Sequence, residues 1–256
     1  MSKEILSEGV SVSVDARAVA TVMFAHPQSN SLPGELLRSL ASEITALGER
    51  TDVRVVVLKS VGDRAFCAGA SFDELIAISN EAEGLQFFSG FAGVINALRS
   101  IPQLVIGRVQ GKAVGGGVGV ASAVDFCLAT RHAAVKLSEL AIGIGPFVVG
   151  PAVERKMGVS AMSALAIDAT AWKSADWACT HGLYAEVFED VDALDAAVDA
   201  LAGRLAASNP EAMHALKRTF WVGTSHWDEL LVERAAVSGR LVLSDFTRSA
   251  IAAFKR

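Results

Sequence analysis

"QGKAVGGGVGVAS", Gln110 to Ser122, sets Gly115, Gly116 and Gly117 side by side between two apolar runs. Glycine loses more backbone freedom on folding than any other residue, so three together in a buried stretch need a reason. Three reasons compete: a flexible loop, a cradle for phosphate, or backbone N–H groups that must come close to a ligand. A dinucleotide fingerprint needs G-x-G-x-x-G in the first βαβ unit, and a P-loop needs Gly-Lys-Ser/Thr. Neither spacing is present. The apolar pattern of "VQGKAV" before and "VGVASAV" after excludes a mobile linker. What survives is a strand-to-helix junction, whose first N–H groups lack intrahelical partners and stabilise negative charge. Two readings of it stand level: helix and strand packed too closely for side chains, or amides brought up to a ligand.

Outward from the glycines, the chain reads as α/β. "GVSVSVDARAVATVMF" alternates as two short strands joined near Asp15–Arg17, a hairpin. "LPGELLRSLASEITALGER" has apolar residues at helical spacing, with Pro33 near the first turn. "VRVVVLKS" is the β-branched run of a strand covered on both faces. "GDRAFCAGASF" reads as a small-residue loop, and a mainly helical region follows through "GLQFFSGFAGVINALRS". The unit then repeats in kind: strand "QLVIGRVQG", the glycine segment with a short helix, and strand "DFCLATRHAAVKLS". From about Met157 the pattern is helical, broken briefly at "THGLYAEVFED", "SNPEA" and "VGTSH". No linker or shift in composition marks a boundary, so one α/β domain with a helical C-terminal portion is expected.

The 256 residues suffice for a substantial core, and 52% apolar against 20% charged residues argues against disorder. A net charge of −5 offers no broad basic surface, so neither nucleic acid nor membrane is expected as a partner. No apolar run reaches the roughly 18–20 residues that span a bilayer. The start, "MSKEILSEGVSVSVD", carries acids and alternation where a signal peptide has an apolar core. Cys67, Cys127 and Cys179 lack metal spacing, as do His26, His132, His181, His214 and His226. Reduced thiols in a cytoplasmic protein without a metal are the expectation.

A second small-residue turn, "AFCAGASF" (Ala65–Phe72), also follows a strand and also bares backbone amides. Two such turns that converge place two N–H donors on one carbonyl oxygen, an oxyanion hole, which favours the ligand reading. At this point the chain resembles the crotonase superfamily, the enoyl-CoA hydratase/isomerase group. The matching residues are "NSL" (30–32), "VRVVVLKS", "DRAFCAGASFDEL", "GKAVGGGVGVASAVDFCLAT", "SELAIGIGP", "ERKMG", "WACTHGLYAEVF" and "AFKR", in family order over almost the whole chain. The paired AGA and GGG segments are the most specific part. The resemblance implies a crotonase-like spiral of repeated ββα units: a single domain over 1–256, with the ββα core to about 190 and a helical trimerisation region from about 191. It also implies an acyl-CoA thioester substrate, coenzyme A as part of that substrate with no separate cofactor, and a homotrimer or homohexamer.

Carried over residue by residue, the family's thioester-oxygen donors are the amides of Ala70 and Gly116. Removing an α-proton puts charge on that oxygen, where one preformed donor is worth about 3–4 kcal/mol. The family's two catalytic carboxylates map onto Gly119, which cannot transfer a proton, and onto Glu139 of "KLSELAIGIG", which can. Without the resemblance, Glu139 would read as a solvated carboxylate or a helix-start residue beside Ser138. An apolar pocket made by "LAIGIGPFVV" would raise its pKa by desolvation. Hydration is usually assigned to two carboxylates, whereas a 3-enoyl to 2-enoyl shift needs one group that takes a proton at C2 and returns it at C4. Isomerisation by Glu139 is therefore expected, a 2-enoyl-CoA hydratase and a catalytically silent acyl-CoA-binding or scaffold subunit being the alternatives. Phe147 would shape the acyl pocket or simply pack. The backbone from Ala68 through Ala70, Ser71, Phe72 and Asp73 would face coenzyme A, with Lys217, Lys255 and Arg256 as phosphate partners. Asp125 reads as a structural hydrogen-bonding residue, and "WDELLVERAAVSGRL" as an amphipathic core face rather than a cofactor wall.

Overall fold

The structure, a computed structural model, describes residues 6–254. The expected hairpin forms first: β1 (Gly9–Val14) pairs antiparallel with β2 (Val19–Ala25). Asp15 shapes its turn, one carboxylate oxygen accepting from the Arg17 and Val19 amides at 2.8 and 3.0 Å. Next come α1 (Gly34–Gly48), β3 (Val55–Ser60), β4 (Ala65–Cys67), α2 (Phe72–Ala77) and α3 (Glu81–Ser100). Then follow β5 (Leu104–Val109), β6 (Lys112–Val114), α4 (Gly116–Ala123), β7 (Phe126–Thr130) and β8 (Val135–Lys136). A single 3-10 turn, Leu140–Ile142, precedes α5 (Gly150–Ile167), α6 (Ala175–Thr180) and β9 (Glu186–Phe188). The chain continues through α7 (Val191–Ala206), α8 (Pro210–Phe220), α9 (Trp227–Leu241) and α10 (Asp245–Phe254).

The strands sort into two sheets by a simple rule. In each of three successive units, the first strand joins a large sheet ordered β1-β2-β3-β5-β7-β9, and the second joins a small sheet ordered β4-β6-β8. Beyond the hairpin, both sheets are parallel. Helix α1 lies on one face of the large sheet with α3 packed against it, and Leu37, Leu40, Ile44 and Ile95 join Val22, Val56 and Leu58 in the main core. On the other face α7 sets Leu194, Val198 and Ala202 against Val55, Val57 and Ile106. Burial on both sides explains why "VVVL" and "LVI" are unbroken apolar runs rather than alternating ones.

The small sheet is what the sequence concealed. "AFC" lies inside the stretch read as a loop, and "DFCLATRHAAVKLS" is not one strand but β7 and β8, which belong to different sheets. Helix α7 lies beyond the expected boundary near 190, yet its apolar face closes the large sheet. Helix α9 packs on α3 so closely that a Cβ on Gly84 would stand 2.6 Å from the Gly239 Cα. Helix α10 rests on the 3-10 turn, with Thr247 Oγ1 2.8 Å from where a Gly143 Cβ would be. Among the described residues no helix is long and apolar enough to cross a membrane.

Candidate active site

Parallel neighbours end at the same edge of their sheet, so the turns leaving β4, β6 and β8 meet although they lie far apart in sequence. Those turns carry Ala68–Ala70, Gly115–Gly116 and Ser138–Glu139. Together with Phe72, Phe91 and Phe147 they border an open cleft.

The first turn is braced by Asn30, itself in a left-handed conformation (φ 56°). Its amide nitrogen donates to the Val61 and Ala65 carbonyls at 2.8 and 2.9 Å, and its oxygen accepts from the His26 amide at 3.1 Å. The Ala68 N–H donates to the Ser29 carbonyl at 3.1 Å, and the Leu32 N–H to the Gly69 carbonyl at 2.8 Å. Gly69 takes φ +90°, which an L side chain rarely adopts. Beyond it, the Ala70 N–H has no hydrogen-bond partner among the described residues.

The second turn pivots on Gly115, at φ +51°, whose N–H donates to the Lys136 carbonyl at 2.8 Å. Helix α4 starts at the next residue, so the Gly116 N–H, at its first position, lacks an intrahelical partner. A Cβ on Gly69 would stand 2.9 Å from the Val114 oxygen and 3.6 Å from the Gly116 nitrogen, so the two turns touch. Side chains are excluded below as well: a Cβ on Gly116 would run into the Phe91 ring, and one on Gly117 would come within 2.7 Å of Cys67.

Glu139 leads into the 3-10 turn and anchors it, its carbonyl accepting from the Ile142 and Ile144 amides at 3.2 and 3.0 Å. Its carboxylate abuts the second turn, Oε1 lying 2.9 Å from where a Gly115 Cβ would be. The other oxygen, Oε2, is buried without a hydrogen-bond partner among the described residues. Burial with no compensating charge pushes this carboxyl from the usual 4.5 up to about 7. A group divided between acid and base forms at neutral pH therefore sits beside the turn that carries the Gly116 amide. Such a group both removes and delivers protons.

A family model described as enoyl-CoA hydratase/isomerase matches residues 15–240. The chain belongs to the enoyl-CoA hydratase/isomerase family. Among its relatives, the Bacillus subtilis protein YngF, named as an enoyl-CoA hydratase/isomerase, is 32% identical over 144 residues. That match covers 55% of this chain and 54% of YngF, about half of each. A short-chain-enoyl-CoA hydratase of Clostridium acetobutylicum is 29% identical over 78% of this chain and 76% of its own length. The crystal structure of an enoyl-CoA hydratase from Bacillus halodurans superposes with a TM-score of 0.87, covering 95% of this chain and 99% of that one at 19% identity. At that identity the likeness establishes the fold, the crotonase-like α/β architecture of repeated ββα units.

Within this enoyl-CoA hydratase/isomerase fold, six residues expected at the site border the cleft: Ala68, Ala70, Phe72, Gly116, Glu139 and Phe147. At Gly119, where the family's other carboxylate maps, a Cβ would stand 2.6 Å from the Val149 Cβ, so Val149 occupies the space. Ser71 turns to a local task, its hydroxyl accepting from the Glu74 amide at 3.4 Å as the cap of α2. Asp73 is exposed and accepts from the Gln28 side chain at 3.0 Å.

Lys217 corrects the phosphate expectation. It is buried, donating to the Asp125 carboxylate at 2.6 Å and the Leu98 carbonyl at 2.7 Å. An ammonium locked in that pair is not available to a coenzyme A phosphate. Asp125 also accepts from the Val105 amide and the Trp221 ring nitrogen, each at 2.8 Å, the structural role expected of it. Lys255 and Arg256 lie outside the described residues. Among the described residues no group of three His, Cys, Asp or Glu is arranged to hold a metal. Sequence reasoning missed Phe88, Phe91 and Ser238 in the cleft wall, whereas Val149 ends the "LAIGIGPFVV" stretch expected to form the pocket. Helical spacing marks Phe88 and Phe91 as buried but not what they face.

Proposed function

We propose that this chain is an acyl-CoA enzyme that moves an enoyl-CoA double bond from C3 to C2, with Glu139 as the acid/base and the Ala70 and Gly116 amides as oxyanion donors. The observation that carries the reading is that Glu139 is the one ionisable side chain bordering the cleft among the described residues, and burial holds it near neutrality. Ionised Glu139 takes a proton from C2. The electron pair delocalises over C2–C4 and onto the thioester oxygen, where two N–H donors stabilise it without reorganising. Protonated Glu139 then returns the proton to C4, leaving the C2=C3 product and the carboxylate as it began. Coenzyme A enters and leaves as part of the substrate. We propose a homotrimer or homohexamer in the cytoplasm as the working form.

Hydration of a 2-enoyl-CoA is the second reading, favoured by the name of the Clostridium acetobutylicum relative. Against it stands Val149 where a second carboxylate would project from position 119. Purified enzyme is given 3-enoyl and 2-enoyl thioesters separately in deuterated buffer, with products followed by NMR. The expected result is conversion of 3-enoyl to 2-enoyl thioester, with kcat/KM rising as pH passes about 7, where Glu139 ionises. E139Q is expected to lose about 10²–10⁴-fold in turnover. Net hydration without a shift would favour the hydratase. Bound thioester with neither a shift nor exchange at C2 would leave a silent subunit and refute the isomerase.

A further inference from the structure

The proposed reaction leaves two polar side chains of the cleft without a task, Ser138 and Ser238, of which only Ser238 is buried. Ser238, on α9, borders the cleft and is only 1% exposed. Its carbonyl accepts from the Val242 amide, but its hydroxyl makes no hydrogen bond among the described residues. Every other buried serine and threonine of the described chain is hydrogen-bonded through its hydroxyl, from Ser31 with His26 at 2.9 Å to Thr247 with Ser244 at 3.1 Å. The Gly84–Gly239 crossing next to it brings the α3 and α9 backbones into contact and fixes its place in the wall. Around it the wall is apolar, built by Leu75, Phe88, Phe91, Ile142, Ile144 and Val149.

The Ser238 hydroxyl has no protein partner among the described residues, so a ligand atom in the cleft that accepts from it forms a hydrogen bond the protein itself does not supply. The same wall includes no Lys, Arg or His, and its one ionisable group is the acid Glu139. A second carboxylate on the acyl chain would therefore be buried unpaired. We propose that Ser238 hydrogen-bonds an oxygen on the acyl chain, so that the preferred acyl groups are uncharged and bear a hydroxyl or carbonyl in addition to the thioester. This deepens the acyl-CoA reading of the cleft and rests on it.

The test is equilibrium binding by calorimetry, using saturated acyl-CoA thioesters that the enzyme does not turn over. Each plain alkyl chain is paired with the same chain carrying a hydroxyl or oxo group at successive carbons from C4 outward, because a 3-hydroxyacyl thioester is the hydration product and would be turned over by a hydratase. The wild type is expected to bind at least one oxygen-bearing member about tenfold more tightly than its alkyl partner. S238A is expected to bring that ratio to about one, with S238C, close in size and a weaker donor, in between. A ratio near one in the wild type, or an undiminished ratio in S238A, overturns the proposal. Because the probes are saturated, a failed isomerisation assay with an intact ratio removes the isomerase reading alone. Failure to bind any thioester removes both.

Discussion

Replacing Glu139 by Gln removes one titrating group and leaves the shape of the cleft nearly unchanged, so its effect on stability isolates what burial does to this carboxyl. In the unfolded chain the group ionises near 4.5, and in the folded protein near 7. Below pH 4.5 it is protonated in both states and costs nothing. Between the two values the unfolded chain releases the proton while the folded protein keeps it, so rising pH favours unfolding. Above pH 7 both states are ionised and the penalty is complete. A rise from 4.5 to about 7, at about 1.36 kcal/mol per pH unit, is about 3 kcal/mol. Gln carries no such penalty. E139Q is therefore expected to match the wild type near pH 4.5 and to melt roughly 6–12 °C higher at pH 8.5, as about 3 kcal/mol moves a chain of this size. Other titrating groups are common to both proteins and cancel in the difference. The assay is thermal unfolding of both at one protein concentration across pH 4.5–9. A melting difference independent of pH, or a wild type more stable than E139Q at pH 8.5, would refute the burial argument.

Two further substitutions probe the contacts around the site. G119E restores the family's second carboxylate but drives it into Val149, and overpacking alone is expected to cost about 1–3 kcal/mol. V149G in the same chain relieves the clash, so the double variant should be more stable than G119E in thermal melts; additive effects would show that the two positions do not collide. K217M leaves the Asp125 carboxylate buried without its ammonium, a loss of about 3–5 kcal/mol, with KM for acyl-CoA thioesters unmoved. A raised KM at unchanged melting temperature would instead return Lys217 to a phosphate-binding role.

The residues that border the cleft were easier to read in the sequence than the sheet that brings them together. The strands of the large sheet are five to seven residues long apart from β9, and their apolar runs announce them. Those of the small sheet have three, three and two residues, too few to display any period. Yet β4, β6 and β8 are what bring Ala70, Gly116 and Glu139 to one edge. Family motifs named those three residues without revealing why they meet. Lys217 shows the opposite failure. An isolated lysine on a helical pattern reads as a solvated surface group, and no local signal reveals that Asp125, 92 residues earlier, buries it. Ser238 was hidden differently, because its helix reads correctly as an amphipathic core face. The cleft opens within that core, so a residue can be buried and still face a ligand.

The two readings of the glycine run, close packing and amides kept clear for a ligand, describe one arrangement. A Cβ on Gly116 would meet Phe91, and Phe91 is itself part of the cleft wall. Absence of a side chain at 116 therefore lets the aromatic ring close against the start of α4 and places the unpaired N–H beside the cleft. The same holds at Gly115, where a Cβ would touch the Glu139 carboxylate and keep it from its position. Packing fixes where the helix begins, and where the helix begins fixes where its free N–H lies. A flexible loop of the same composition would supply the donors without their placement, and a donor that must reorganise as charge develops loses much of its worth. The entropy lost in ordering three glycines is the cost of an amide that does not have to move.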